Sequence, residues 1–556
     1  MSRREAWLSA LAVFAIALLV RVWAASVLTF PRPEDTAYYV GVARNLVDGQ
    51  GLVSNAIWSY QTPPLVFPRP AFEVWLPLPS FLAAVPMAIL GSTFAAAQWS
   101  SILVGSLVAV FAWRLAADVA LERGLPAGRA RSLAIGAGLT AAVYLPLVLA
   151  SAQPDSTTPF AALVLAACLL MTRLTWTGAV TADAPPPDAV PPGQTIDLVA
   201  LGVVLGLAAL TRNEAVWLAL VWVWLAWRLA TALARSPATV LRSGGSRWAA
   251  WARLVGVPAL VALAVFAPWA IRDWLTFGSP VAGQALLNAL SLRGSDIFAW
   301  SSPPTVADYL LAGPGALIAL RVTGLEHNLV SVLLLLGTPI SAIGLVALPW
   351  TARGRVLRPL ALFSVITFVL ATLLFPVSST WGTFQHAAGA IEVLLAVSAV
   401  LALDAVIERV GRIRGWTRPV AWLGPALTIA AGLLMTAVIL PTEGQSARNT
   451  AAHFAALPAA LASGGVPLSA TGPVITDTPI WFAEETGHEA LALPDEPPAS
   501  VLDLAHHFGA TVLIVQADNG GQWPAVAGSS AAGASCFTPV SMPNLAGVAV
   551  FRITCP

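Results

Sequence analysis

Two carboxylates stand side by side at Glu34-Asp35, just after a long apolar run and just before a helix-forming stretch that Gly49 and Gly51 close. A third, Asp155, lies in Gln153-Pro154-Asp155-Ser156-Thr157 at the end of another apolar run. Acids so placed suit base catalysis, in which one takes a proton from an incoming hydroxyl. They equally suit oxygen ligation of a divalent cation such as Mg or Mn. The plainer alternative is structural: Asp35 or Thr36 as N-cap of the next helix, and Asp155 as N-cap of another. Arginines form the complementary set. Arg272 closes Pro268-Trp269-Ala270-Ile271-Arg272-Asp273, Arg212 sits in the turn Leu210-Thr211-Arg212-Asn213-Glu214, and Arg69 precedes a proline-rich segment. A guanidinium at headgroup depth binds a lipid phosphate through charge-assisted hydrogen bonds. Snorkelling, or pairing with Asp273 or Glu214, is the alternative for Arg272 and Arg212. Tyr38, Glu73 and His386 complete the candidate binding set, although a lone histidine more often makes a satisfied polar contact.

The elements that must position these groups are membrane spans. Of 556 residues, 57% are hydrophobic and 10% charged, with mean hydropathy +0.77; a soluble chain carries about 25% charge. The 29 basic residues nearly balance 28 acidic ones, which argues against a nucleic-acid partner. Every basic residue is arginine, so Schiff-base and Walker-lysine chemistry are excluded and any phosphate falls to arginine.

Apolar runs at 7–28, 94–113, 133–150, 160–171, 198–210, 216–229, 254–271, 329–350, 360–375, 387–403 and 421–440 predict about eleven crossings. The run 72–90 contains Pro77, Pro79 and Pro86 and reads as a re-entrant or interfacial segment. With the N-terminus in the cytoplasm, this assignment puts most arginines inside, among them Arg3, Arg4, Arg114, Arg123, Arg129, Arg131, Arg353 and Arg412. Asp35, Asp155, Arg69, Arg212 and Arg272 then lie outside. The run 7–28 is too long for a signal-peptide core and is interrupted by Arg21, so it reads as the first span.

The expected organisation is a membrane domain over 1–440, with external loops 29–71 and 272–328, then an extracytoplasmic α/β domain over 441–556. In that tail 474–476, 490–493 and 511–515 read as strands, and 479–486 and 499–508 as helices ended by Gly487 and Gly509. Cys536 and Cys555 lie in an oxidising-compatible place and are expected to form a disulfide; two unpaired thiols are the alternative. The proline-rich 177–194 reads as a cytoplasmic linker. There is no HExxH, CxxC or Walker A sequence.

Asp35-x-x-Tyr38-Tyr39, Ala43-Arg44-Asn45-Leu46 and Gly49-x-Gly51 together resemble the first external loop of GT-C superfamily glycosyltransferases, in the branch of protein O-mannosyltransferases and the aminoarabinose transferase of lipid A. The proline-broken 72–91 stretch, the Leu210–Glu214 turn and Pro268-Trp269 to Arg272 extend the likeness over most of 1–280. The resemblance implies a GT-C-like α-helical polytopic membrane protein in a bacterial plasma membrane. It implies transfer of a sugar, with inversion, from a polyprenyl-phosphate carrier to a glycan, lipid or protein acceptor. Asp35 would then be the general base with Glu34 as its substitute, Asp155 the second external acid, and Arg69 and Arg272 the carrier-phosphate ligands; no soluble cofactor is required. The chain departs from relatives that use a lysine at the phosphate. A transporter or flippase of a lipid-linked or small polar substrate is the competing class. Its ionisable groups would sit near the bilayer midplane, where Glu392 and Asp404 are the candidates. A membrane-anchored assembly protein is the third reading.

Overall fold

Long apolar runs have one way to satisfy their backbone away from water, which is to become helices. A computed structural model describes residues 2–555 apart from 181–191, 236–246, 282, 336, 417–419, 517–520, 524, 543–544 and 546. The expected linker 177–194 lies mostly outside the described residues. Eight described helices are long and apolar enough to cross a membrane, and Ala127–Val143 with Leu145–Ser151, bent by 57°, makes a ninth. Pro146, at the start of the second piece, supplies no N–H. Buried Arg21 of the first span (Arg3–Val27) fills the break, donating to the carbonyls of Ala141 and Ala142 and to Ser151 Oγ.

Two further expected crossings, 198–210 and 360–375, are the shorter helices Gln194–Ala209 and Arg358–Leu374. The expected crossing 329–350 is displaced. Gly313–Leu334, which begins in the expected external loop 272–328 and runs into the expected crossing, is the long apolar segment, and the chain restarts as the short Ile340–Thr351. Hydropathy runs across this break, whereas the backbone turns at Gly337, φ +96°, and Pro339. The proline-rich 72–90 stretch yields only the helix Leu78–Leu90. Thirteen residues reach about 20 Å, short of a bilayer core of about 30 Å. Its Ala83, Ala84 and Met87 pack against Val40 and Ala43 of the helix Glu34–Val47.

The last span does not stop at the end of its apolar run. It continues as one helix, Leu423–Ser463, whose Phe454, Leu457 and Leu461 enter the core of the C-terminal domain. The strands are β1 (Val53–Ser54), β2 (Ala56–Ile57), β3 (Arg69–Pro70), β4 (Val474–Thr476), β5 (Ala490–Ala492), β6 (Val512–Gln516), β7 (Phe537–Val540) and β8 (Val548–Ile553). β1 pairs with β3, and the others form one sheet in the order β2-β5-β4-β6-β8-β7. β2, β5, β4 and β6 are parallel, and β8 and β7 complete the sheet antiparallel. The helices Pro479–Thr486 and Pro498–Phe508 link the parallel strands and end at left-handed Gly487 and Gly509. A disulfide joins Cys536 to Cys555, and Cys168 is a buried free thiol. β2 belongs to the first loop, so the sheet is built from both ends of the chain.

Candidate active site

Asp35 is the second residue of the helix Glu34–Val47, whose N-cap is Pro33 with no side-chain cap. Neither Asp35 nor Thr36 is therefore the cap, and an acid in the first turn is favoured by the helix dipole. Residues four apart share a helix face, so Asp35 and Tyr39 look one way while Glu34 and Tyr38 look another. Asp155 divides its two oxygens: Oδ1 accepts from the Thr157 N–H at 2.7 Å, capping Thr157–Val180, while Oδ2 lies 3.5 Å from His386 Nδ1. The other ring nitrogen, Nε2, is 3.6 Å from Asp35 Oδ2. Thr157 Oγ1 sits 3.0 Å from Nδ1. One imidazole thus joins residues 35 and 155, and side-chain exposure rises from 5% at Asp155 through 15% at His386 to 30% at Asp35.

Arg212 borders the same group. It bonds Ser156 Oγ at 2.8 Å and the Thr383 carbonyl at 3.2 Å, and pairs with Glu214 at 2.8 Å. Burial would lower the His386 pKa, but the Asp155 hydrogen bond and the Asp35 charge outweigh it and hold the imidazole above its ordinary value. Among the described residues no group of three or more His, Cys, Asp or Glu side chains has metal-holding geometry. The imidazole lies between the two carboxylates, and the cation-ligand reading of them gains no geometry here.

The other face of the helix Glu34–Val47 carries a second cluster. Tyr38 OH accepts from the N–H of Phe72 at 2.6 Å, holding Phe72 at φ +76°, and its ring lies 4.2 Å from Trp75. Arg69 is fully buried: it donates to the Thr62 and Pro64 carbonyls and stands 3.5 Å from buried Glu73. Its two terminal nitrogens are thus engaged inside the loop, and Nε faces Glu73. Arg272 pairs with Asp273 at 3.0 Å and lies against the rings of Trp269 (4.8 Å) and Phe277 (5.1 Å), with 22% of its side chain exposed. Trp269 contacts Phe72, so a chain of rings runs from Arg272 to Tyr38. Glu34 points to the sheet domain, where Oε1 accepts from the N–H groups of Ile480 and Trp481, both at 3.2 Å. Burial, with the charges of Asp35 and Asp477, raises its carboxyl to about 8.

The sequence signal for Ser156 and Thr157 was present, since both follow Asp155 directly, but nothing local distinguishes the Thr383 carbonyl. Arg44 reaches Glu484 of the sheet domain at 2.9 Å, and Asp48 accepts from Ser92 Oγ. Asp404 pairs with Arg129 at 2.5 Å in an ion cluster with Glu408, and Glu392 is buried at the start of Gly389–Ile413.

The multi-span helical bundle with its mixed α/β sheet has the fold of a solved membrane protein, ArnT. In particular, the chain is similar to ArnT from Cupriavidus metallidurans bound to undecaprenyl phosphate, with 13% identity, TM-score 0.53 and coverage of 98% of this chain and 99% of that one. The apo state of the same ArnT gives 14% identity and TM-score 0.52 over 100% of both chains. The archaeal oligosaccharyltransferase AglB from Archaeoglobus fulgidus, in complex with an inhibitory peptide and a dolichol-phosphate, gives 11% identity and TM-score 0.48 over 93% and 70%. No protein-family model and no curated protein matches the sequence.

Proposed function

We propose that this protein transfers a sugar from a polyprenyl-phosphate carrier to an acceptor hydroxyl or amine at the outer face of the membrane, with inversion and with Asp35 as general base. The observation that carries the reading is the Asp35–His386–Asp155 group, in which three distant chain segments meet and the outermost carboxylate is the most exposed. An acceptor X–H arriving from the sheet side gives its proton to Asp35 while X bonds to the anomeric carbon. The C–O bond to the carrier breaks at the same time, and its electron pair leaves on the phosphate. A carrier tail confined to the bilayer brings that phosphate to the interface, where Arg272, 22% exposed, can stabilise the leaving charge. The undecaprenyl phosphate bound to the similar ArnT supports the carrier class.

The test is turnover of a polyprenyl-phosphate sugar by the purified chain and by Asp35→Asn. A loss of about 100-fold or more is expected, the usual scale for a general base. Turnover that survives the substitution removes Asp35 from the chemistry.

A further inference from the structure

Parallel sheets bind ligands outside the carboxyl ends of their strands, at the point where the strand order reverses. In this sheet the chain runs from β4 outward to β5 on one side and then returns to β6 on the other, so the reversal falls between β4 and β6. Asp477 and Thr478 lie just past β4 and Gln516 is the last residue of β6, and each has a buried polar atom without a hydrogen-bond partner among the described residues. These atoms are Asp477 Oδ2, Thr478 Oγ1 and Gln516 Nε2. Thr478 is only 3% exposed, so its hydroxyl cannot turn to bulk water instead. A buried polar group left unpaired is costly, so three beside one switch point mark a place for a hydrogen-bonding ligand.

The surrounding bonds fix the three atoms in place. Asp477 Oδ1 accepts from the Gln516 N–H at 2.9 Å, and Gln516 Oε1 lies 2.7 Å from His453 Nε2 of the helix Leu423–Ser463. That leaves the Gln516 amide nitrogen to point elsewhere as a donor. Glu34 enters from the other side, and its strongest charged influences are Asp35 and Asp477. An amide donor, a hydroxyl that both gives and accepts, and a carboxylate acceptor match the alternating hydroxyls of a sugar ring. An acidic crevice opposes phosphate or carboxylate ligands.

We infer that the β4–β6 switch point is the acceptor subsite and that the acceptor it takes is a neutral or amino-bearing saccharide, held by Asp477, Thr478 and Gln516. This rests on the transferase reading above for the word acceptor, but not for the binding itself. Consecutive residues make the coupling: Glu34 closes onto the sheet domain at this crevice, while Asp35 turns to His386. A saccharide seated on the sheet side would present its hydroxyl toward Asp35.

The experiment is equilibrium binding to the full chain in detergent, with no donor present, using a glucosamine disaccharide, its N-acetylated form and a serine/threonine-rich peptide as probes. Wild type is expected to bind at least one disaccharide. Asp477→Asn and Gln516→Ala should each weaken it by about tenfold, the scale of one buried hydrogen bond. Asp477→Asn keeps an oxygen for the Gln516 N–H, and an unchanged melting temperature in that variant separates lost binding from lost folding. Disaccharide affinity untouched by both substitutions, no disaccharide binding by folded wild type, or binding of the peptide alone would each overturn the inference. Loss of turnover in Asp35→Asn would stand or fall separately.

Discussion

Asp155 divides its two oxygens between backbone and side chain: one caps the start of Thr157–Val180 while the other faces His386. Removing the carboxylate therefore costs in two ways. Asp155→Ala is expected to lose about 1 kcal/mol from the cap alone, whereas Asp155→Asn keeps an acceptor and isolates the change at the imidazole. The pH dependence separates two groups. His386 has its pKa raised, so its charged form contributes stability below the ordinary histidine range, and that contribution is lost as pH climbs through the raised value. A His386→Gln variant should flatten the stability profile there. Glu34 is an acid raised from 4.5 to about 8, so the folded state binds more protons than the unfolded one across that window and stability falls as pH rises through it. Glu34→Gln should hold the melting temperature steady over the same range, read by thermal unfolding in buffered detergent.

At the scale of elements, the helix Glu34–Val47 is pressed between the membrane bundle and the sheet domain, and Gly41 is the close approach. A Cβ there would lie 1.8 Å from Glu484 Oε1. Gly41→Ala should expel the Glu484 carboxylate, break its pair with Arg44 and destabilise the chain by roughly 1–3 kcal/mol. The double variant with Glu484→Ala should recover part of this in a denaturation series. Local signals made much of the architecture readable in advance. Val474–Thr476 and Pro479–Thr486 stand where alternation, proline and a closing glycine place them. The acids of the site could be picked out because charge beside an apolar run is conspicuous. The Asp35–His386 approach joins residues far apart in sequence, and β2 is two residues long, too short to have a periodicity. Arg69 and Glu34 looked available because a sequence does not say that Thr62 and Pro64 will take the terminal nitrogens of Arg69, or Ile480 and Trp481 an oxygen of Glu34.

For the whole molecule, the first loop and the C-terminal sheet are one assembly. β2 pairs with β5, Tyr60 donates to the Ala492 carbonyl and Arg44 reaches Glu484. Truncation after residue 440 should therefore release the first loop, detected as new protease cleavage between residues 52 and 70, together with loss of activity. The Cys536–Cys555 bond closes a loop with separation 19. Its removal by Cys555→Ser should lower stability by about 3 kcal/mol in the sheet domain, on the chain-entropy scale, read as an earlier melting transition.

The unbroken helix Leu423–Ser463 fixes more than distance. A helix advances about 100° per residue, so the rotational phase of the sheet is set by residue count along this shaft. Inserting a single alanine near Asn449 would turn everything beyond it by about that angle. A shaft turned so far would carry β5 away from β2 and the β4–β6 crevice away from Asp35, although no residue of either had been altered.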